Sequence, residues 1–167
     1  ALTQRDVDHF IEHGYVVVRD AIDMKLADEW LNEVADHFGV RLHSSEGWPS
    51  GILHLRGFPE VPKHSISCRE RFPVLWDAIS DLLGGSDRID EPYTLSNNFI
   101  VNVDEGADRP WEPPAADLKG WHKDGDWFRH FLDSPEQALL TIICWKDIKH
   151  QGGGTFIAPD SIKVVAE

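Results

Sequence analysis

Helical and extended periodicity occupy separate halves of this chain, and that separation constrains its fold more than any single motif. Thr3 can cap a first helix, with Val7, Phe10 and Ile11 at helical spacing and Gly14 at its end. The β-branched run 15–19 predicts a short strand. A second helix follows Asp23, with Leu26, Trp30, Leu31, Val34 and Phe38 on one face and Gly39 closing it. A third runs from about Glu70 to Leu83, with Pro73 in its first turn and Gly84-Gly85 as the stop. Residues 93–103 then read as extended, and 138–145 form an apolar run that suits a strand buried on both faces. Helices first and strands afterwards predict an α+β fold, with helices packed on one side of a sheet. At 167 residues the chain is one domain, with 1–90 mainly helical and 91–167 mainly sheet.

Between these elements lie stretches without period. Residues 40–67 are punctuated by Gly47-Trp48-Pro49 and Gly57-Phe58-Pro59, and 106–120 by Pro110, Pro113 and Pro114, so both read as loops. Residues 151–154, Gln-Gly-Gly-Gly, turn into 155–158, and Pro159-Asp160-Ser161 looks like the cap of a last helix.

The net charge of −13 makes a poor nucleic-acid binder and disfavours docking on anionic lipid. No stretch is long and apolar enough to span a bilayer, and the first residues are not a signal peptide. The two cysteines, Cys68 and Cys144, form no disulfide framework, which fits a cytoplasmic protein; Cys144, in its apolar run, reads as an inert buried thiol. Arg56, Lys63, Arg69 and Arg71 are a loose basic cluster, the one local feature suited to an anionic substrate.

Chemistry concentrates between Trp111 and Trp145, where four of the seven tryptophans fall together with His122 and His130. Aromatics among histidines suggest a lined pocket, or plain core. Within Trp121-His122-Lys123-Asp124, a strand would project His122 and Asp124 from one face. An imidazole and a carboxylate so placed are two-thirds of the facial triad that holds non-haem iron. The same spacing also suits a surface histidine ion-paired to a carboxylate. Asn98 and Asn102 share one face of the extended 93–103 segment, opposite Phe99, Val101 and Val103, and two amides aimed inward would line a polar pocket or bond loop backbone. Asp126 continues the alternation as a further acceptor or a solvated carboxylate, while Trp127, Phe128 and Phe131 either wall a substrate site or simply pack.

The order His122-x-Asp124, then Ile142-Ile143-Cys144-Trp145, then Gly152-Gly153-Gly154-Thr155-Phe156-Ile157-Ala158-Pro159 resembles the phytanoyl-CoA dioxygenase family. The opening Phe10-Ile11-Glu12-His13-Gly14-Tyr15-Val16-Val17-Val18 is similar to that family's first helix and strand. The resemblance implies a double-stranded β-helix (a jelly roll) that binds Fe(II) and 2-oxoglutarate and hydroxylates a small molecule, with His122 and Asp124 as the first two iron ligands. It also places Asn98, Asn102 and Trp145 beside the co-substrate.

The chain departs from the family pattern after Asp124. A second ligand histidine and a 2-oxoglutarate-binding arginine are expected several strands later, yet only His130, His150 and Arg129 follow, none in the family's position. Two further strands are too few to close a β-helix, so the expectation is a truncated form of a longer protein, or a sheet completed by a partner chain. Three functions follow: an Fe(II)/2-oxoglutarate oxygenase, an inactive relative that binds a ligand or partner, and a zinc hydrolase, the last short of the three protein ligands catalytic zinc takes. The sequence selects neither the substrate nor the oligomeric state.

Overall fold

The computed structural model describes residues 2–44, 46–49, 51–102, 109–125, 129, 131 and 139–166. Its architecture is mixed helix and sheet, with two small antiparallel sheets and, among the described residues, no closed barrel.

Local chemistry sets the helices. Helix α1 (Gln4–His13) starts from a capping box in which Thr3 Oγ1 accepts the Asp6 N–H while the Asp6 carboxylate takes the Thr3 N–H. It ends on Gly14, whose φ of 74° is left-handed and whose missing Cβ leaves room for the Ile162 side chain. Helix α2 (Met24–Phe38) is capped by the Asp23 carboxylate and buries Ala27, Trp30, Leu31, Val34 and Ala35. The third expected helix is two. Cys68–Arg71 makes one turn (α3), Phe72 leaves helical geometry at φ −129° and ψ 61°, and α4 (Pro73–Leu83) begins at the proline itself. Proline disfavours the helical conformation of the residue before it, so the break falls at Phe72, whose side chain fills the core.

Residues 93–103 do not form one strand. Strand β1 (Ile52–His54) pairs with β4 (Ile100–Asn102), and β2 (Ser65–Ser67) pairs with β3 (Thr94–Ser96), both antiparallel. Between the pairs Ile52–Asn102 and Ser65–Ser96 the chain advances 13 residues on one side and six on the other, so seven are looped out. The Leu55 N–H donates to the Phe99 carbonyl, extending the β1–β4 ladder into the gap, and the Cys68 N–H donates to the Tyr93 carbonyl, extending the β2–β3 ladder at its far end. Inside the gap the Asn97 side chain takes the place of a strand partner. Its Oδ1 accepts the His64 N–H at 2.9 Å and its Nδ2 donates to the Pro62 carbonyl at 2.7 Å. Asn97 is 1% exposed.

Two apolar clusters sit against this split ladder. Trp30, Leu31 and Val34 of α2 meet Leu55, Val61 and Phe99 in one; Phe72, Leu75, Trp76 and Ile79 meet Cys68 and Leu95 in the other. Leu26 and Ile66 touch both.

The other extended expectations fare differently. Residues 15–19 and 139–145 join no ladder among the described residues. The apolar run is not buried on both faces: Leu139, Ile143 and Trp145 pack on the clusters, whereas Leu140, Ile142 and Cys144 are exposed. Burial therefore alternates with the pleat, as for a strand covered on one side. Residues 109–120 carry turns only, and the last expected helix is present as a 3-10 turn (Pro159–Ser161) followed by α5 (Ile162–Ala166). Among the described residues no helix is long and apolar enough to cross a membrane.

Candidate functional site

His122 and Asp124 lie not in a strand but where an irregular loop enters a turn. The loop is pinned by its own backbone: the Trp121 indole N–H donates to the Ala115 carbonyl at 3.0 Å, and the Leu118 N–H to the same oxygen at 3.0 Å. Gly120 holds a φ of 122°, open to glycine and strained for other residues, and this turns its carbonyl onto the next side chain but one. His122 Nδ1 stands 2.7 Å from that carbonyl oxygen. A carbonyl only accepts, so Nδ1 carries the proton and the neutral ring has its lone pair on Nε2. Nε2 in turn stands 3.2 Å from Asp124 Oδ1.

Two acceptors this close need a cation between them or a second proton on the ring. A protonated ring makes an ordinary ion pair. Metal–ligand bonds of about 2.1 Å meeting near a right angle put two donors about 3 Å apart, so the observed spacing also suits two neighbouring positions on one divalent metal. A backbone carbonyl fixing the tautomer of a ligand histidine is the usual supporting contact at such sites. The donor chemistry fits iron or zinc, with two protein ligands supplied. Among the described residues no third histidine, cysteine or acid joins them. The histidine side chain is 65% exposed and the carboxylate 43%, so the pair faces solvent. Gly120, whose carbonyl orients the imidazole, is the contributor missed in the sequence; its signal is a glycine two residues before the histidine.

The other expected site residues are placed apart from this pair or packed elsewhere. Asn98 is exposed and its amide donates to Ser96 Oγ at 3.0 Å, which corrects the inward orientation expected of it. The extended chain turns its Leu95, Asn97 and Phe99 row to the core, because that row carries the apolar side chains. Asn102 ends β4, its backbone in register with Ile52. Trp145 is half-buried and packs on the first cluster, its ring centroid 5.4 Å from Trp30 and 5.2 Å from Phe99. Cys144 is exposed, correcting its expected burial, while Cys68 is fully buried and desolvation pushes its thiol up to about 11. Phe131 is exposed; Asp126, Trp127, Phe128 and His130 lie outside the described residues.

The basic cluster is largely neutralised. Arg69 pairs with Glu91, Arg71 with Asp23, and Lys63 donates to the Leu55 carbonyl. Lys146 pairs with Asp28 beside Trp145. The surface clefts among the described residues include one of 660 Å³ along α1 and one of 360 Å³ at Trp111 and the glycine turn, and His122 and Asp124 line neither of these.

The fold is mixed helix and sheet, and the candidate site on it is an exposed imidazole–carboxylate pair. Compared with known proteins, the chain matches no family model, no curated protein and no solved structure.

Proposed function

We propose that this chain carries part of the metal centre of an Fe(II)/2-oxoglutarate-dependent dioxygenase similar to the phytanoyl-CoA dioxygenase family, on a fold related to the double-stranded β-helix. One observation carries the reading: His122 Nε2 and Asp124 Oδ1 converge to 3.2 Å with the ring tautomer set by the Gly120 carbonyl. Ferrous iron with 2-oxoglutarate, when bound, supplies the oxidising chemistry for hydroxylating a small organic substrate. The chain's own part is positional. The Gly120 carbonyl keeps the Nδ1 proton in place, so the imidazole offers Nε2 as a neutral donor. Asp124 supplies negative charge beside it. The Trp121–Ala115 bond holds the loop on which both stand.

The alternative reading is a catalytically inactive relative that binds a ligand or partner. It is favoured by the absence, among the described residues, of a third metal-binding side chain.

Anaerobic titration with Co(II), followed by its absorption, tests the pair directly. Weak one-to-one binding is expected, lost in His122→Ala and in Asp124→Ala. Binding should also decline in mild acid, because the ligand imidazole must be neutral. Under air with Fe(II), the oxygenase reading expects succinate release from 2-oxoglutarate and its loss in His122→Ala. Turnover that persists in His122→Ala would overturn the assignment. Metal binding without turnover would favour the inactive relative.

A further inference from the structure

The cleft along α1 gathers positive charge in a strongly acidic protein. Left-handed Gly14 reverses the chain after α1, so residues 15–19 return along the helix and Arg19 comes to line the same cleft as Arg5. His9 and Tyr15 form its aromatic side, the two rings meeting edge to face with centroids 4.9 Å apart. The cleft is open to solvent and has a volume of about 660 Å³.

What sets it apart is how the nearby acids are used. The Asp6 carboxylate, which also lines the cleft, is turned into the helix cap: Oδ2 accepts from the Thr3 N–H at 2.9 Å and from Thr3 Oγ1 at 2.6 Å. Those bonds, with smaller contributions from the Arg5 and His9 charges beside it, hold its pKa below the ordinary value. The Asp8 carboxylate accepts from Gln4 Nε2. Arg69 and Arg71 have carboxylate partners, whereas among the described residues neither Arg5 nor Arg19 has an ion pair. Two guanidiniums against one carboxylate leave the cleft net positive on a surface whose total charge is −13. A guanidinium presents a planar fork of N–H donors that matches a carboxylate or a phosphate.

We infer that the cleft between α1 and residues 15–19 binds the oxyanion of a small organic molecule, a carboxylate or a phosphate, through Arg5 and Arg19. This does not depend on the metal pair at His122. The test is an amide chemical-shift titration of the whole chain with inorganic phosphate and, separately, with succinate, each against potassium chloride of equal ionic strength. Saturable shifts confined to residues 3–19 are expected from at least one anion, and which anion saturates identifies the oxyanion. Arg5→Gln and Arg19→Gln should each weaken binding at least about tenfold, as losing a charged hydrogen-bond partner does. Both arginines are exposed, so unchanged shifts elsewhere will show that the variants fold. Arg88→Gln, outside the cleft, should leave affinity unchanged. Shifts that only track ionic strength, or an equal loss in Arg88→Gln, would overturn the inference.

Discussion

Residues 2–102 and residues 109–166 have similar apolar character but use it differently. Among the described residues, every fully buried apolar side chain lies between Ala27 and Phe99, while most large exposed ones lie from Trp111 onward. The first region returns on itself: residues 52–68 run back along 93–102, so α2 and α4 each find a surface to cover. The second contributes one row, Leu139, Ile143 and Trp145, to cores the first region has already built. The lesson concerns the candidate site. His122 and Asp124 stand in the second region, where geometry comes from hydrogen bonds a few residues long rather than from packing. Such a site is shaped locally.

The sharpest way to break this comparison is to remove one apolar side chain from each region. Trp30, stacked on His64 and in contact with Trp145, anchors the first cluster. Trp30→Ala should cost about 3–5 kcal/mol, read as a shift in the urea midpoint at constant slope. Ile142→Ala, on the exposed side of its run, should stay within about 0.5 kcal/mol. A large loss at Ile142 would mean that its face is covered in solution and that the two regions are not so unlike.

The same contrast explains what could be read from the residues alone. Helix ends were legible because caps act within four residues: Thr3, Asp23 and Gly14 each mark a boundary the structure keeps, whereas Pro73 opens a new helix instead of lying in the first turn of one from Glu70. Strands were less so, because a strand is defined by its partner. The single extended segment expected over 93–103 is divided by the seven looped-out residues on the opposite side, a feature nothing in its own sequence announces. The closeness of His122 and Asp124 follows from their spacing of two residues, though the chain joining them is a loop entering a turn and not the expected strand. The inward asparagine was misassigned by one residue. Its parity was readable: Asn97 alternates with Leu95 and Phe99, and the apolar row of a strand goes inside.

That parity gives the second test. Asn97 satisfies a backbone donor at His64 and a backbone acceptor at Pro62 in a place water does not reach. Asn97→Ala strands both groups and should cost about 2–3 kcal/mol by urea unfolding. Asn98→Ala removes an exposed amide bonded to Ser96 and should change stability by less than about 0.5 kcal/mol. Equal effects would remove the distinction between the two faces of this segment.

The smallest effect sets one cysteine of each region against the other. Cys144 is exposed and should react with a thiol reagent in the folded protein, whereas Cys68 should react only as the chain unfolds. Burial raises the Cys68 thiol from 9.0 to about 11, so folding favours its neutral form. Below about pH 9 both folded and unfolded chains hold that proton and the stability from it is complete. Between about 9 and 11 the unfolded chain loses the proton first, so stability falls by about 2 kcal/mol as pH rises through that window. Lysines and tyrosines titrate there as well, so the quantity to measure is the difference in alkaline slope between the native chain and Cys68→Ala. The variant should lack this component, while Cys144→Ala should keep it. An alkaline slope unaffected by Cys68→Ala would mean that the second cluster admits water, and the first region would then be less closed than its packing implies.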